Sequence, residues 1–251
     1  EGADAMAQRL ARLGRRRIPL AVNIGKNKLT PNENAADDYR ACLRKLYAHG
    51  DLFVLNISSP NTPDLRALQH GDELTALLHA VRDEMDAQAE AHGGLPKPIL
   101  VKIAPDNTDE QLGYMAEAIA GSGMSGIIAT NTTIGRDGLT HANAGESGGL
   151  SGRPLTKRST EVIRRLYELT EGKLPIVGSG GIFTADDAYE KIRAGASLVE
   201  VYTALIYKGP GLLKELHRGL RERLARDGFT RIAQAIGADH RQPAARTAAR
   251  S

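Results

Sequence analysis

The sequence predicts an α/β protein, a (β/α)8 TIM barrel, from three observations. Short apolar runs alternate with longer amphipathic segments from one end of the chain to the other. Polar residues cluster after the carboxyl end of nearly every run. The core must be aliphatic, because the 251 residues include no Trp, three Phe and seven Tyr. Strand followed by helix, repeated along a chain, calls for a parallel sheet with right-handed crossovers, and such a sheet is covered by helices on its faces.

The apolar runs fall at 18–24, 52–57, 98–103, 125–130, 174–178 and 197–201, and helical spacing of apolar residues appears at 73–89, 109–120, 157–169 and 185–194. An open doubly wound sheet would fit this alternation as well. The polar residues choose between the two. They stand in Asn23-Ile24-Gly25-Lys26, Asn56-Ile57-Ser58-Ser59, Lys102-Ile103-Ala104, Thr130-Asn131-Thr132, Gly178-Ser179-Gly180-Gly181 and Tyr202-Thr203. A barrel gathers all its strand ends at one rim, whereas an open sheet spreads them along an edge. The barrel is therefore expected. Six strand–helix units are visible where the fold needs eight, so the first two are expected upstream of Glu1. Residues 1–240 then form the barrel, carrying its third to eighth strands, and 241–251 a basic, disordered tail.

Hydrophobic residues make up 41% and charged residues 25% of the chain, the balance of an ordinary globular protein. The net charge of +3 is matched by Arg241, Arg246 and Arg250 in the final eleven residues, which contain no acid. The remaining body is balanced, and a nucleic-acid partner is not expected. No apolar stretch reaches the length of a membrane span and no signal peptide opens the chain, so a cytoplasmic location is the default expectation. The single cysteine, Cys42, lies in a helix-like stretch and reads as a small hydrophobe. The seven histidines show no metal-ligand spacing.

Four motifs carry possible chemistry. Gly180 and Gly181 follow one strand and Tyr202 and Thr203 the next, the neighbouring positions at which barrels commonly hold a phosphate. A plain tight turn would use the same glycines. Gly148-Gly149-Leu150-Ser151-Gly152-Arg153-Pro154 ends a long loop, which could lie against a flat ligand or be a simple connection. Asn56-Ile57-Ser58-Ser59-Pro60-Asn61-Thr62-Pro63 crowds amides and hydroxyls at a strand end, suiting a small planar ligand edged with amide and carbonyl groups. An Asx or Ser turn that merely leaves a strand is the alternative. Lys102 sits inside an apolar run, where it needs an anionic partner, and its expected role is to face the rim and a negative cofactor.

Taken in order, Asn23 to Lys28, Asn56 to Thr62, Val101 to Asp106, Ala129 to Thr133 and Gly149 to Leu155 resemble the class 2 dihydroorotate dehydrogenases, and the similarity runs from residue 1 to about Arg241. The resemblance implies an FMN-dependent barrel that oxidises dihydroorotate to orotate in pyrimidine biosynthesis and passes electrons to a quinone. By position it implies that Ser59 is the catalytic base, with Thr62 holding a water beside it. Asn56, Asn61, Asn131 and Thr132 would bind the pyrimidine. Asn23, Asn56, Lys102 and Thr130 would hold the flavin ring, with Lys102 stabilising its anionic reduced form, and Ser151, Gly152, Gly180, Gly181, Tyr202 and Thr203 the phosphate end. The class also implies peripheral contact with the cytoplasmic face of the inner membrane, made by N-terminal helices that have no counterpart in this sequence. The present chain alone is then expected to be soluble or to aggregate. Two competing readings are another FMN barrel, such as the cysteine-base class or a dihydrouridine synthase, and an inactive fragment of the enzyme. Ser59 and the lack of a basic face argue against the first.

Overall fold

A computed structural model describes residues 2–14 and 16–241. Helix α1 (Gly2–Ala11) precedes six alternating units: β1 (Ala21–Ile24), α2 (Ala35–Leu46), β2 (Leu52–Asn56), α3 (Gly71–Ala91), β3 (Ile99–Ile103), α4 (Asp109–Gly121), β4 (Gly126–Ala129), α5 (Thr156–Leu169), β5 (Ile176–Ser179), α6 (Ala185–Ala194) and β6 (Leu198–Glu200). The short α7 (Thr203–Lys208) and the longer α8 (Gly211–Arg226) complete the last unit. All pairings are parallel and the sheet order is β1-β2-β3-β4-β5-β6, so each strand lies beside its neighbour in sequence. This is six units of a TIM barrel with the expected alternation of strand and helix.

The sheet is curled. Lys102 on β3 reaches Glu200 on β6 at 3.0 Å, although three strand spacings of about 4.8 Å would separate them in a flat sheet. Alternation along the strands sends Ile99, Val101 and Ile103 of β3 into the helix layer, all with no exposed surface, and leaves Leu100 and Lys102 on the inner face. On α3, Leu74, Leu78, Val81 and Met85 form a fully buried stripe at helical spacing. Each such side chain contributes about 1.5–3 kcal/mol by burial. The core lies between the sheet's outer face and the helices. Capping boxes start α4 at Thr108 and Gln111, and α6 at Thr184 and Asp187.

The strands are shorter than the apolar runs that predicted them. The run at 18–24 yields a strand only from Ala21, and Ile18 is 75% exposed beside Pro19, which has no N–H to give a ladder. Cys42 lies within α2, half-buried against the core. Arg241 donates to the carbonyls of Gln234 and Ile236 at 2.6 Å, tying it to the folded body. The rest of the expected basic tail lies outside the described residues.

Candidate active site

The polar strand ends meet at one rim, as the barrel requires. At the ends of β2 and β4 a network of side chains forms. Asn56 Oδ1 accepts from Ser58 Oγ at 3.1 Å and from Asn131 Nδ2 at 3.3 Å, and Asn131 Nδ2 also donates to Ser58 Oγ at 3.0 Å. Asn131 Oδ1 accepts from the Thr132 N–H at 2.8 Å. Ser58 is thus fully buried with its hydroxyl committed. Its neighbour Ser59 is half-buried and, among the described residues, accepts only the Asn61 N–H, at 3.3 Å.

Sequence reasoning missed the arginine that holds this corner. Arg66 donates to the carbonyls of Ser58 (3.1 Å) and Thr132 (2.8 Å) and pairs with Asp106 at 2.7 Å. One side chain so ties together the exits of β2, β3 and β4. Its charge between the buried Leu65 and Leu68 was the available signal.

The loop after β4 is not a loose connection. Arg136 donates to the carbonyls of Ile134, Gly135, Glu146 and Gly148, and Thr133 and Leu150 exchange backbone hydrogen bonds at 3.1 and 2.8 Å. The Gly148–Gly149 stretch is laid against Pro60, Asn61 and Thr132. A methyl on Gly149 would stand 1.8 Å from Thr132 Oγ1 and 3.0 Å from Pro60, so the glycine is demanded by close approach.

A cleft of about 280 Å³ opens beside this corner, lined by Lys102, Thr130, Asn131, Thr132, Ser151, Gly180, Gly181, Tyr202 and Thr203 among others. Thr203 Oγ1 donates to Ser151 Oγ at 3.0 Å, and Gly152 packs on the Thr203 methyl. Asn56 adjoins the cleft through its contact with Asn131, whereas Ser59, Asn61 and Thr62 stand outside its lining. Asn23 stands exposed on the inner face of the edge strand β1, outside the cleft, and the Thr62 hydroxyl makes no hydrogen bond to Ser59. The anion beside Lys102 is a residue of this chain, Glu200, at 3.0 and 3.3 Å. Glu200 also escaped sequence reasoning, although a lone acid in the run Leu198-Val199-Glu200-Val201 carries the same signal as Lys102 in its own run.

Cys42 is no rival nucleophile: burial pushes its thiol upward, with Asp38 adding to the effect, so little thiolate forms at neutral pH.

The family profile described as dihydroorotate dehydrogenase matches residues 1–224. The chain belongs to the dihydroorotate dehydrogenase family. It is 56% identical to a dihydroorotate dehydrogenase (quinone) of Deinococcus deserti over 95% of its own length and 66% of that relative's. The corresponding figures for the enzyme of the same name from Deinococcus radiodurans are 55%, 94% and 64%. The chain thus spans just under two thirds of these relatives, and it aligns with the quinone-linked class. Among solved structures, the ligand-free dihydroorotate dehydrogenase of Eimeria tenella superposes with a TM-score of 0.87 at 40% identity, covering 96% of this chain and 72% of that one. Its complex with ferulenol gives 0.86, also at 40% identity, over 96% and 67% of the two chains. Membership of the dihydroorotate dehydrogenase family implies a flavin cofactor.

The residues present fit such a group. Among the described residues no acceptor takes the N–H groups of Gly180, Gly181 or Ile182, all of which line the cleft, and the Ser151 and Thr203 hydroxyls lie beside them. Free N–H donors at one end and a lysine with an inner-face amide set at the other suit a planar ring that carries a phosphate. No helix among the described residues is long and apolar enough to cross a membrane.

Proposed function

We propose that this rim oxidises dihydroorotate to orotate, with FMN as the flavin and a quinone as the final electron acceptor. The observation that carries the reading is the division of labour between two adjacent serines. Ser58 is locked in the Asn56–Asn131 network, while Ser59 Oγ accepts the Asn61 N–H and gives its own proton to no acceptor among the described residues, and the Gly148–Gly149 loop packs on the adjacent Pro60 and Asn61.

In this reading Asn56, Asn61, Asn131 and Thr132 bind the amide, carbonyl and carboxylate edges of the pyrimidine, and Arg66 fixes the backbone from which they project. Ser59 Oγ takes the proton from C5 of the substrate. A serine hydroxyl is a weak base, so its proton must pass onward, and Thr62 is assigned to hold the water that receives it. The loop anchored by Arg136 limits access of bulk water to the reacting carbons. FMN, when bound, supplies the hydride acceptor. Asn23, Asn56, Lys102 and Thr130 would hold its ring, and Ser151, Gly152, Gly180, Gly181, Tyr202 and Thr203 its phosphate end. Likeness to the quinone-linked class supports a peripheral position at the cytoplasmic face of the inner membrane.

Rapid mixing of the FMN-loaded full-length protein with dihydroorotate tests the reading. Bleaching of the flavin with one orotate formed per flavin is expected, followed by reoxidation with a soluble quinone analogue. A flavin that dihydroorotate leaves oxidised would sink the proposal.

A further inference from the structure

Lys191, on α6, has no exposed surface. Its ammonium donates to the Thr156 carbonyl at 3.0 Å, Ser159 Oγ at 3.2 Å and Thr160 Oγ1 at 2.9 Å, all on the first turns of α5. Each of these acceptors is neutral, and among the described residues no carboxylate pairs with it. The Asp187 carboxylate, on the same helix, is occupied by the N–H groups of Phe183 and Thr184, and Glu190 is exposed. A buried ammonium among neutral oxygens is costly, and an apolar chain of equal length would cost less. Packing alone does not account for a lysine here.

What lies in front of it does. Two of the residues that accept from it reach on to the turn after β5, Ser159 through the same hydroxyl and Thr156 through its side chain. Ser159 Oγ donates to the Ser179 carbonyl at 2.5 Å, and Thr156 Oγ1 donates to the Gly181 carbonyl at 2.8 Å. The Ser179 carbonyl also accepts the Thr130 N–H at 2.9 Å. A trans peptide points its N–H opposite its C=O. Drawing these two carbonyls back toward α5 and β4 therefore turns the N–H groups of Gly180 and Ile182 the other way, and both residues line the cleft.

Resting on the reading that this end of the cleft takes the cofactor's phosphate, we propose that Lys191 is a positioning residue for that phosphate. It places a positive charge behind the turn and, through Ser159 and Thr156, aims the Gly180 and Ile182 N–H groups at the anion. Burial pushes the Lys191 ammonium down to about 8. An anion in the cleft opposes that shift by favouring the charged form. Lysine and phosphate thus stabilise each other across the turn.

The test is the affinity of the flavin-stripped full-length protein for FMN and for riboflavin, which lacks the phosphate, read by flavin fluorescence. Wild type is expected to prefer FMN. Lys191→Met should weaken FMN binding by about tenfold or more, a loss of roughly 1.4 kcal/mol, and move riboflavin by less than about twofold. Ser159→Ala keeps the charge and removes one link, so it should show a smaller loss confined to FMN; with Thr156→Val it decides the matter should Lys191→Met not fold. If wild type binds both flavins equally, the phosphate site itself is misplaced and the role of Lys191 falls with it. If wild type prefers FMN but Lys191→Met and Ser159→Ala keep that preference, or lose both flavins equally, the phosphate site stands and Lys191 is structural.

Discussion

At the β2 and β4 ends of the rim, polar side chains hold one another: Asn56, Ser58, Asn131 and Thr132 share hydrogen bonds across the end of the intervening β3, and Arg66 clamps the carbonyls behind them. At the β5 and β6 ends the backbone is the working surface, and it is held from behind by the hydroxyls of α5. The first arrangement offers alternating donors and acceptors, which suits the edges of a small ring. The second presents N–H groups of one sign, which suits an anion and little else. Between them, Lys102 and Glu200 close the gap as an ion pair.

The largest effect is expected where the comparison is sharpest, at the side-chain end. Ser59→Ala should leave FMN bound and slow flavin reduction by dihydroorotate by about 10²–10⁴. Ser58→Ala should instead loosen the network, raising KM more than it lowers the rate of reduction, because Asn131 loses an acceptor rather than the substrate its base. Reduction at the wild-type rate in Ser59→Ala would assign the wrong serine. Ser59→Cys should regain part of the rate at higher pH, since a thiol with a pKa near 8.5 must ionise before it acts.

The backbone end should fail through geometry. A methyl on Gly181, at φ +72°, would stand 2.2 Å from Thr156 Oγ1 and 2.5 Å from the Thr156 N and Cα. Helix backbone cannot step aside as a side chain can. Gly181→Ala is expected to cost about 3 kcal/mol of stability and to shed FMN, visible as a lower melting temperature and a colourless preparation. A stable yellow variant would show that the turn is more pliable than the contacts allow.

The ion pair between the two ends should respond by sign. Lys102→Ala removes a cation and should weaken FMN retention and lower the flavin potential. Glu200→Gln removes the anion opposite it and should raise the potential by roughly 30 mV, the equivalent of about 1.4 kcal/mol for two electrons. Shifts of the same sign in both variants would mean that the pair does not face the flavin.

The smallest effect is expected away from both ends. The Leu20 N–H and Arg16 hold the Asp51 carboxyl below its ordinary value at the start of β2. The stability it contributes is complete above the usual carboxylate pKa of about 4 and is lost as pH falls through the lower folded value. Asp51→Asn should therefore narrow the gap in melting temperature between neutral and acid solution, with flavin reduction unchanged.

Much of the rim was legible because its signals are local. Asn23, Asn56, Lys102 and Thr130 stand at the carboxyl end of an apolar run and the Gly180–Gly181 pair just beyond one, and period-two alternation assigns a face to every residue in such a run. The apolar runs overshot at their ends, as at Ile18, because hydrophobicity does not reveal where a ladder loses its partner. Glu200, Arg66, Arg136 and Lys191 were missed. Each is an ordinary charged residue in sequence, and its meaning comes from a partner elsewhere.

The sequence by itself determined the alternation of strand and helix, the face each strand residue takes, and the chemistry offered at every strand end, because these follow from periodicity and residue type over a few neighbours. Only the tertiary structure decided which of those groups meet. Lys102 and Glu200 are 98 residues apart, Arg66 and Thr132 66, and Lys191 and Thr156 35. Such pairs are joined by the curl of the sheet and the packing of helices on it, and that geometry depends on the summed twist and contacts of all six units rather than on any one of them.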